Sequence, residues 1–155
     1  MNVPTFKIKE VTEEMLPELK KLMLKYIVDF YKCPQPTDEN LTNHVLYLLE
    51  NPQMGKQFMI QVDNKSAGFA TLYYTFSTTK VAKIAILNDL YIDSDYRKQE
   101  FGEELFKFCL SYTRENNFST MSWKTAVDNY VAQSLYDKMG GMNTNQKWIN
   151  YEIIL

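Results

Sequence analysis

The sequence predicts a mixed α/β fold, α+β in its arrangement, with the element order β-α-α-β-β-β-α-β-α-β around a mixed sheet. Three observations lead there. Between residues 58 and 92, three β-rich stretches follow one another across short polar turns, as the strands of an antiparallel meander do. From residue 101 the period changes, with Phe101, Leu105, Phe108, Cys109 and Tyr112 at i, i+4, i+7, i+8 and i+11 of a helix. The strand–helix–strand step over residues 83–124 then needs a right-handed crossover, which puts two parallel strands inside the sheet. With 155 residues, 45% hydrophobic and 23% charged, the composition is that of a soluble globular domain. At this length folding can bury roughly 70% of the unfolded chain's surface. No repeat, linker or low-complexity tract interrupts the chain, so residues 1–155 are read as a single domain.

Each element has its own signal. Phe6 and Ile8 alternate with polar neighbours, as in a short strand. Over 14–30 the residues Met15, Leu19, Leu22, Met23, Tyr26, Ile27 and Phe30 recur at helical spacing, and Pro17 fits only the first turn. Cys33-Pro34-Gln35-Pro36 breaks the chain. Asp38 is expected to cap a second helix that carries Leu41, Val45, Leu48 and Leu49 on one face and ends at Asn51-Pro52. Strands follow over 58–62, 67–76 and 81–92, separated by the turns 63–66 and 77–80. A helix over 100–115, a short strand over 118–124, a helix over 130–139 closed by Gly140-Gly141, and a last strand over 148–155 complete the chain.

Composition excludes several chemistries. His44 is the one histidine and Cys33 and Cys109 the two cysteines, so a Cys/His zinc site has at most three scattered ligands. A histidine-based triad would rest wholly on His44, which is read as surface. Carboxylates and phenols remain for proton chemistry, and tyrosine is present in eleven copies. A net charge of −2 lacks the basic footprint of a nucleic-acid binder. No apolar run approaches the roughly 18 residues that span a bilayer. The start of the chain has no apolar stretch behind Lys7 and Lys9, so no signal peptide is read there. Unpatterned cysteines suit a reducing compartment, and the expected location is the cytoplasm, with no membrane partner. Trp123 and Trp148 are expected in the core, as are the eight methionines.

Two segments carry chemistry. In the first, a strand ending Leu87-Asn88-Asp89-Leu90-Tyr91-Ile92 runs through Asp93 to Tyr96 into Arg97-Lys98-Gln99-Glu100-Phe101-Gly102-Glu103 at a helix start. Such a turn offers free backbone N–H groups, the positive end of a helix dipole and two cationic side chains, a setting for an anion such as a pyrophosphate. An ordinary solvated loop accounts for it equally well when it stands alone. The second runs from Asn129 through Tyr136 to Gly140-Gly141, where Asn129 reads as an N-cap and the glycines as a helix stop.

Taken together, the two segments resemble the GCN5-related N-acetyltransferase (GNAT) superfamily. That family follows an apolar-aromatic-apolar strand end with Arg/Gln-x-x-Gly-x-Gly/Ala, and later carries Asn-x-x-Ala-x-x-Leu/Phe-Tyr-x-Lys-x-Gly-Phe. The second pattern is met at Asn129, Ala132, Leu135, Tyr136, Lys138 and Gly140, and departs from it at Gly141. The first is met at Arg97 and Gly102, with Glu100 standing where the family has a glycine. Within the superfamily, Leu87 to Ile92 and Ser94 to Arg97 are similar to the polyamine (spermidine/spermine-like) branch, with Asn88 in place of a usual glutamate.

The resemblance implies a splayed parallel strand pair that binds acetyl-CoA. It implies that backbone groups of Leu90, Tyr91 and Ile92 pair with the pantetheine arm, that Arg97, Lys98, Gln99, Glu100, Phe101, Gly102 and Glu103 form the pyrophosphate loop, and that Asn129 lies near the coenzyme A. Glu100 would repel a pyrophosphate unless it turns outward or pairs with Arg97 or Lys98. Tyr136 falls where the family's tyrosine serves as acid for the departing thiolate. Asp89 is a candidate base, acting directly or through water; a site for a cationic substrate; or a strand-end residue bonded to its own turn. Asn88, Asp29 and Tyr31 are candidate acceptor-side residues, since acids and aromatics receive an ammonium well. The implied activity is direct acetyl transfer to a primary amine of a small molecule. Rival readings are a protein or peptide N-terminus as acceptor, and an acyl-CoA-binding regulatory domain. The family often forms dimers, so a homodimer is a further expectation.

Overall fold

Strand formers in alternation need partners, and here one sheet supplies them. The computed structural model describes residues 4–155. It contains β1 (Phe6–Glu10), β2 (Gly55–Val62), β3 (Lys65–Ser77), β4 (Ala82–Ile92) and β5 (Met121–Ser122), in the spatial order β1-β2-β3-β4-β5. Neighbours from β1 to β4 are antiparallel, and β5 runs parallel to β4. The chain clusters into two compact units, one ending at Trp123 and one from Lys124 to Leu155. Among the described residues no helix is long and apolar enough to cross a membrane.

In the first unit, helices cover both faces of the sheet. α1 (Leu16–Leu24) carries Pro17 in its first turn, as the sequence requires. A π-helix over Lys25–Phe30 continues it, where the sequence pattern predicts one uninterrupted α-helix. α2 (Asp38–Glu50) is capped by Thr37, whose hydroxyl accepts the Asn40 N–H at 3.1 Å, so the cap stands one residue before the Asp38 expected. Leu19, Leu22, Met23, Leu41 and Val45 pack on Met59, Phe69 and Tyr91 of the sheet. Each such side chain contributes about 1.5–3 kcal/mol on burial. α3 (Phe101–Glu115) lies on the opposite face, where Phe58 meets Phe108 and Tyr112, both at 5.0 Å between ring centroids. Phe58 and Met59 serve opposite faces because successive strand residues alternate.

The β2–β3 connection is a two-residue turn, Asp63-Asn64, with both residues at positive φ, a geometry that matches the twist of the paired strands. In β3–β4 the register passes from Thr71↔Asp89 to Leu72↔Leu87, leaving Asn88 as the extra residue of a β-bulge. Gly68 is required by close approach, because a Cβ there would meet the Tyr91 carbonyl oxygen at 2.3 Å.

The second unit holds α4 (Tyr130–Lys138). Gly141 N–H bonds the Tyr136 carbonyl at 2.8 Å and Gly140 N–H the Asp137 carbonyl at 3.1 Å, with Gly140 at φ 88°, so the two glycines close the helix as predicted. Val131, expected on the buried stripe, is exposed.

The strand expected over 118–124 shrinks to two residues. The last strand expected over 148–155 does not form: these residues make no ladder, and Trp148, expected in the core, is 72% exposed with Ile149, Tyr151, Ile153, Ile154 and Leu155 also exposed. Strand propensity is realised only through cross-strand pairing, and among the described residues this segment has no partner strand.

Glu100 caps α3 in the left-handed region, at φ 67° and ψ 10°. Glutamate bears a steric cost there that glycine does not, partly offset by glycine's larger loss of chain entropy. Glu100→Gly is therefore expected to raise stability by about 0.5–1 kcal/mol, read as a higher urea midpoint at unchanged slope. An unchanged or lower midpoint would mean that the Glu100 side chain offsets the strain.

Candidate active site

The ladder between β4 and β5 is short. It pairs Ala85 with Met121 and Ile86 with Ser122, extended by Ser119 N–H to the Lys83 carbonyl at 3.0 Å. Beyond Ile86 the outer edge of β4 has no strand partner among the described residues, while its inner edge stays paired with β3 at Leu90, Tyr91 and Ile92. Alternate backbone groups of a strand face opposite edges, so this stretch offers donors and acceptors to an extended ligand. The bulge at Asn88 sits at the start of the unpaired stretch, where a bulge bends its strand.

A 3₁₀ turn over Ser94–Tyr96 leads from this edge to α3. Lys98 and Glu100 have φ of 63° and 67°, left-handed backbone that turns the loop tightly. Phe101, Gly102 and Glu103 form the first helical turn, where N–H groups have no intrahelical acceptor. Phe101 is buried and stands 6.0 Å from the ring of Phe6, which anchors the helix start. At Gly102 a Cβ would meet nothing nearer than Ile92 Cγ1 at 3.7 Å, so the chain's own packing does not demand glycine there. Glu103 is buried, with its carboxylate 3.7 Å from the Lys107 ammonium. Lys98, Gln99 and Glu100 are exposed. The loop therefore fits an anion, held by amides and the helix dipole, with Lys98 at its edge.

Arg97 is exposed too, but its side chain is engaged by the protein. Its Nε donates to the Ile92 carbonyl at 2.9 Å, and its guanidinium carbon lies 5.6 Å from the ring centroids of both Phe30 and Tyr91.

An aromatic cluster gathers beside the bulge. In the π-helix the wider turn brings the residue five positions on above its start, so Tyr31 N–H bonds the Tyr26 carbonyl at 3.0 Å and the two rings meet edge to face at 4.9 Å. Tyr26 also contacts Phe69 and Tyr91, at 5.4 and 5.5 Å. Burial, then the Asp89 charge, holds the Tyr26 phenol far above its ordinary range, and its hydroxyl interacts with Asp89 and Tyr31. Burial and the Asp89 charge also raise Tyr73. The Tyr73 hydroxyl lies 3.3 Å from His44 Nε2, and Asn88 Nδ2 donates to Asp89 Oδ1 at 3.1 Å. Beside Asp89 in the sheet, fully buried Thr71 accepts a hydrogen bond from Gln57 Nε2 at 3.0 Å. Asp89 thus places a carboxylate beside Asn88 and close enough to the Tyr26 and Tyr73 phenols for its charge to raise them, an arrangement suited to holding an ammonium.

The structure brings Asn88, Asp89, Tyr31, Leu90, Tyr91, Ile92 and the loop 97–103 together in the first unit. Asp29 lies exposed on the π-helix. Asn129 and Tyr136 belong to the second unit: Asn129 Oδ1 accepts the Ala132 N–H at 3.2 Å as the cap of α4, and Tyr136 is half-buried. Sequence reasoning did not reach Tyr73 or His44 as site residues. The alternation Phe69, Thr71, Tyr73 marks a common face, but the bulge that sets its position against Asp89 leaves no residue-type signal.

These features meet their counterparts in known proteins. Residues 19–141 match the model of the acetyltransferase (GNAT) family. A putative [ribosomal protein bS18]-alanine N-acetyltransferase of Bacillus subtilis (strain 168) is 31% identical over 93 residues, covering 60% of this chain and 57% of that protein. The stretches matched in the curated relatives span 49–61% of those proteins' lengths. The crystal structure of a probable acetyltransferase superposes with a TM-score of 0.83 at 28% identity, over 96% of this chain and 97% of that one. The fold also matches an aminoglycoside N-acetyltransferase AAC(6')-Iy in complex with CoA, at a TM-score of 0.78 and 14% identity over 98% and 97% of the two chains. A strand edge left open beside a glycine-bearing helix start thus accompanies a family match along most of the sequence, and the chain belongs to the acetyltransferase (GNAT) family.

Proposed function

We propose that residues 1–155 act as one acetyl-CoA-dependent N-acetyltransferase domain that passes an acetyl group directly to a primary amine of a small molecule, of the kind used by the polyamine-like branch. The observation that carries this reading is the open edge of β4 running into an amide-rich loop, on a chain of this family. Backbone groups of Leu90 to Ile92 would pair with the pantetheine arm. Amides from Lys98 through Glu103 would hold the pyrophosphate, with Gly102 leaving room for it. Coenzyme A supplies the activated acyl group as a thioester.

The remaining chemistry falls to side chains. An alkylamine of pKa ~10 is mostly protonated at neutral pH, so a base is needed, and Asp89 among its phenols takes that role. Tyr136 donates its proton toward the departing thiolate. An acyl-cysteine route through Cys109 is disfavoured, since that residue is fully buried and burial pushes its thiol up to about 12. Both cysteines are free thiols, which suits a reducing, cytoplasmic setting.

A second reading, with a protein N-terminus as acceptor, is favoured by the relative named for a ribosomal-protein alanine. A third, a regulatory acyl-CoA binder, is favoured by Glu100 in the anion loop and Asn88 in place of an acid. Acetyl-CoA at a hundredfold excess over its Kd is expected to raise Tm by about 5–10 °C. No shift sinks both enzyme readings, and a shift without thiol release on amine or peptide panels supports the binder.

With a turned-over amine in hand, Tyr136→Phe is expected to lower kcat about ten- to a hundredfold while acetyl-CoA binding holds. Unchanged turnover removes Tyr136 from the reaction. Asp89→Asn is expected to lower kcat/KM about a hundredfold and to remove the acidic limb of the pH–rate profile; a normal profile rules Asp89 out as base.

A further inference from the structure

We infer that Arg97 is a positioning residue for the acceptor side rather than a phosphate ligand: it ties the π-helix to the end of β4 and so sets the wall against which the amine lies. The inference rests on the acetyl-transfer reading for the word acceptor, but the tie itself does not. Three contacts of one side chain converge. Nε donates to the Ile92 carbonyl at 2.9 Å, and the guanidinium carbon lies 5.6 Å from the Phe30 ring and 5.6 Å from the Tyr91 ring. Phe30 and Tyr91 themselves stand 6.3 Å apart at an interplanar angle of 68°, so cation and rings form one cluster across two elements. Phe30 ends the π-helix and Tyr91 lies near the end of β4.

A second tie joins the other end of the same helix. Lys25, its first residue, bonds Asp93 Oδ2 at 2.7 Å, and Asp93 follows β4 directly. The π-helix is therefore fastened at both ends to the terminus of one strand. Tyr26 lies between the fastenings and Tyr31 directly after Phe30; the two rings meet edge to face at 4.9 Å, and the Asp89 charge acts on the Tyr26 phenol. Releasing Arg97 would loosen those rings and leave the amide loop intact. The Nε donor, spent on the Ile92 carbonyl, is unavailable to the side-on fork that a guanidinium offers a phosphate.

Arg97→Lys keeps the charge but loses the planar stack and the Nε donor, and Phe30→Leu removes one ring of the cluster. For both variants of the full chain, hydrogen exchange at amides 26–33, including Tyr31 and Cys33, is expected to quicken about tenfold with the global urea midpoint held. Calorimetric Kd for coenzyme A should change less than about twofold, and KM for the best amine of the panel should rise about five- to tenfold at near-constant kcat. The inference is overturned by unchanged exchange in that segment, by uniform acceleration across the chain, or by a coenzyme A Kd weakened about tenfold in Arg97→Lys but not in Phe30→Leu. Where wild-type protein binds no coenzyme A, the acetyl-transfer reading fails, and the exchange experiment still decides the tie.

Discussion

The site depends on a mismatch in strand length. β4 runs for 11 residues and β5 for two, so among the described residues most of the outer edge of β4 is left without a neighbouring strand. Unpaired backbone groups buried from water are costly, and an edge of this kind is tolerated where solvent or a ligand can serve it. The bulge at Asn88 falls where the mismatch begins. A bulge of this kind bends its strand, and it places Asn88 and Asp89 at the start of the open edge. The open edge and the position of the Asp89 carboxylate thus meet at one place in the strand.

Much of this was legible in the sequence, and the reasons are local. Period-2 patterning marked β2, β3 and β4, the switch to period 3.6 at Phe101 marked α3, and the glycines at 140 and 141 marked the end of α4. The turn after Ile92 and the helix start at Phe101 were legible from the polar run between the strand and the apolar helical period. What could not be read depends on contacts between distant segments. His44 and Tyr73 are 29 residues apart in sequence, yet their side chains meet at 3.3 Å. The motif position of Arg97 gives no sign of its neighbours in space, Phe30 and Tyr91, each with its ring centroid 5.6 Å from the guanidinium carbon. The segment over 148–155 shows the converse: residues suited to a strand remain irregular without a neighbouring strand.

The anion loop illustrates how backbone conformation and charge can be set against each other. Its tight course needs left-handed residues, and the chain places Lys98 and Glu100 there rather than glycines. Lysine at such a position adds favourable charge to a phosphate site, whereas glutamate adds the opposite. Glu100 is exposed, which moderates the repulsion through solvent and salt. Glu103, on the first turn of α3, is buried with its carboxylate 3.7 Å from the Lys107 ammonium, near the positive end of the helix dipole.

The π-helix has a meaning in terms of chain length. Such a turn is what results when one residue is added to an α-helix without disturbing its two ends. Every residue after the addition is rotated by about 100° relative to an uninterrupted helix. Here that rotation sets Tyr31 over Tyr26 and starts the chain toward Cys33-Pro34-Gln35-Pro36. Loss of any one residue from 25–30 would restore a regular helix and swing Tyr31 to another side. The placing of Tyr31 against Tyr26 is thus held by a count of residues as much as by their identity, and a single-residue deletion here would change which side chains stand beside Tyr91 without altering any of them.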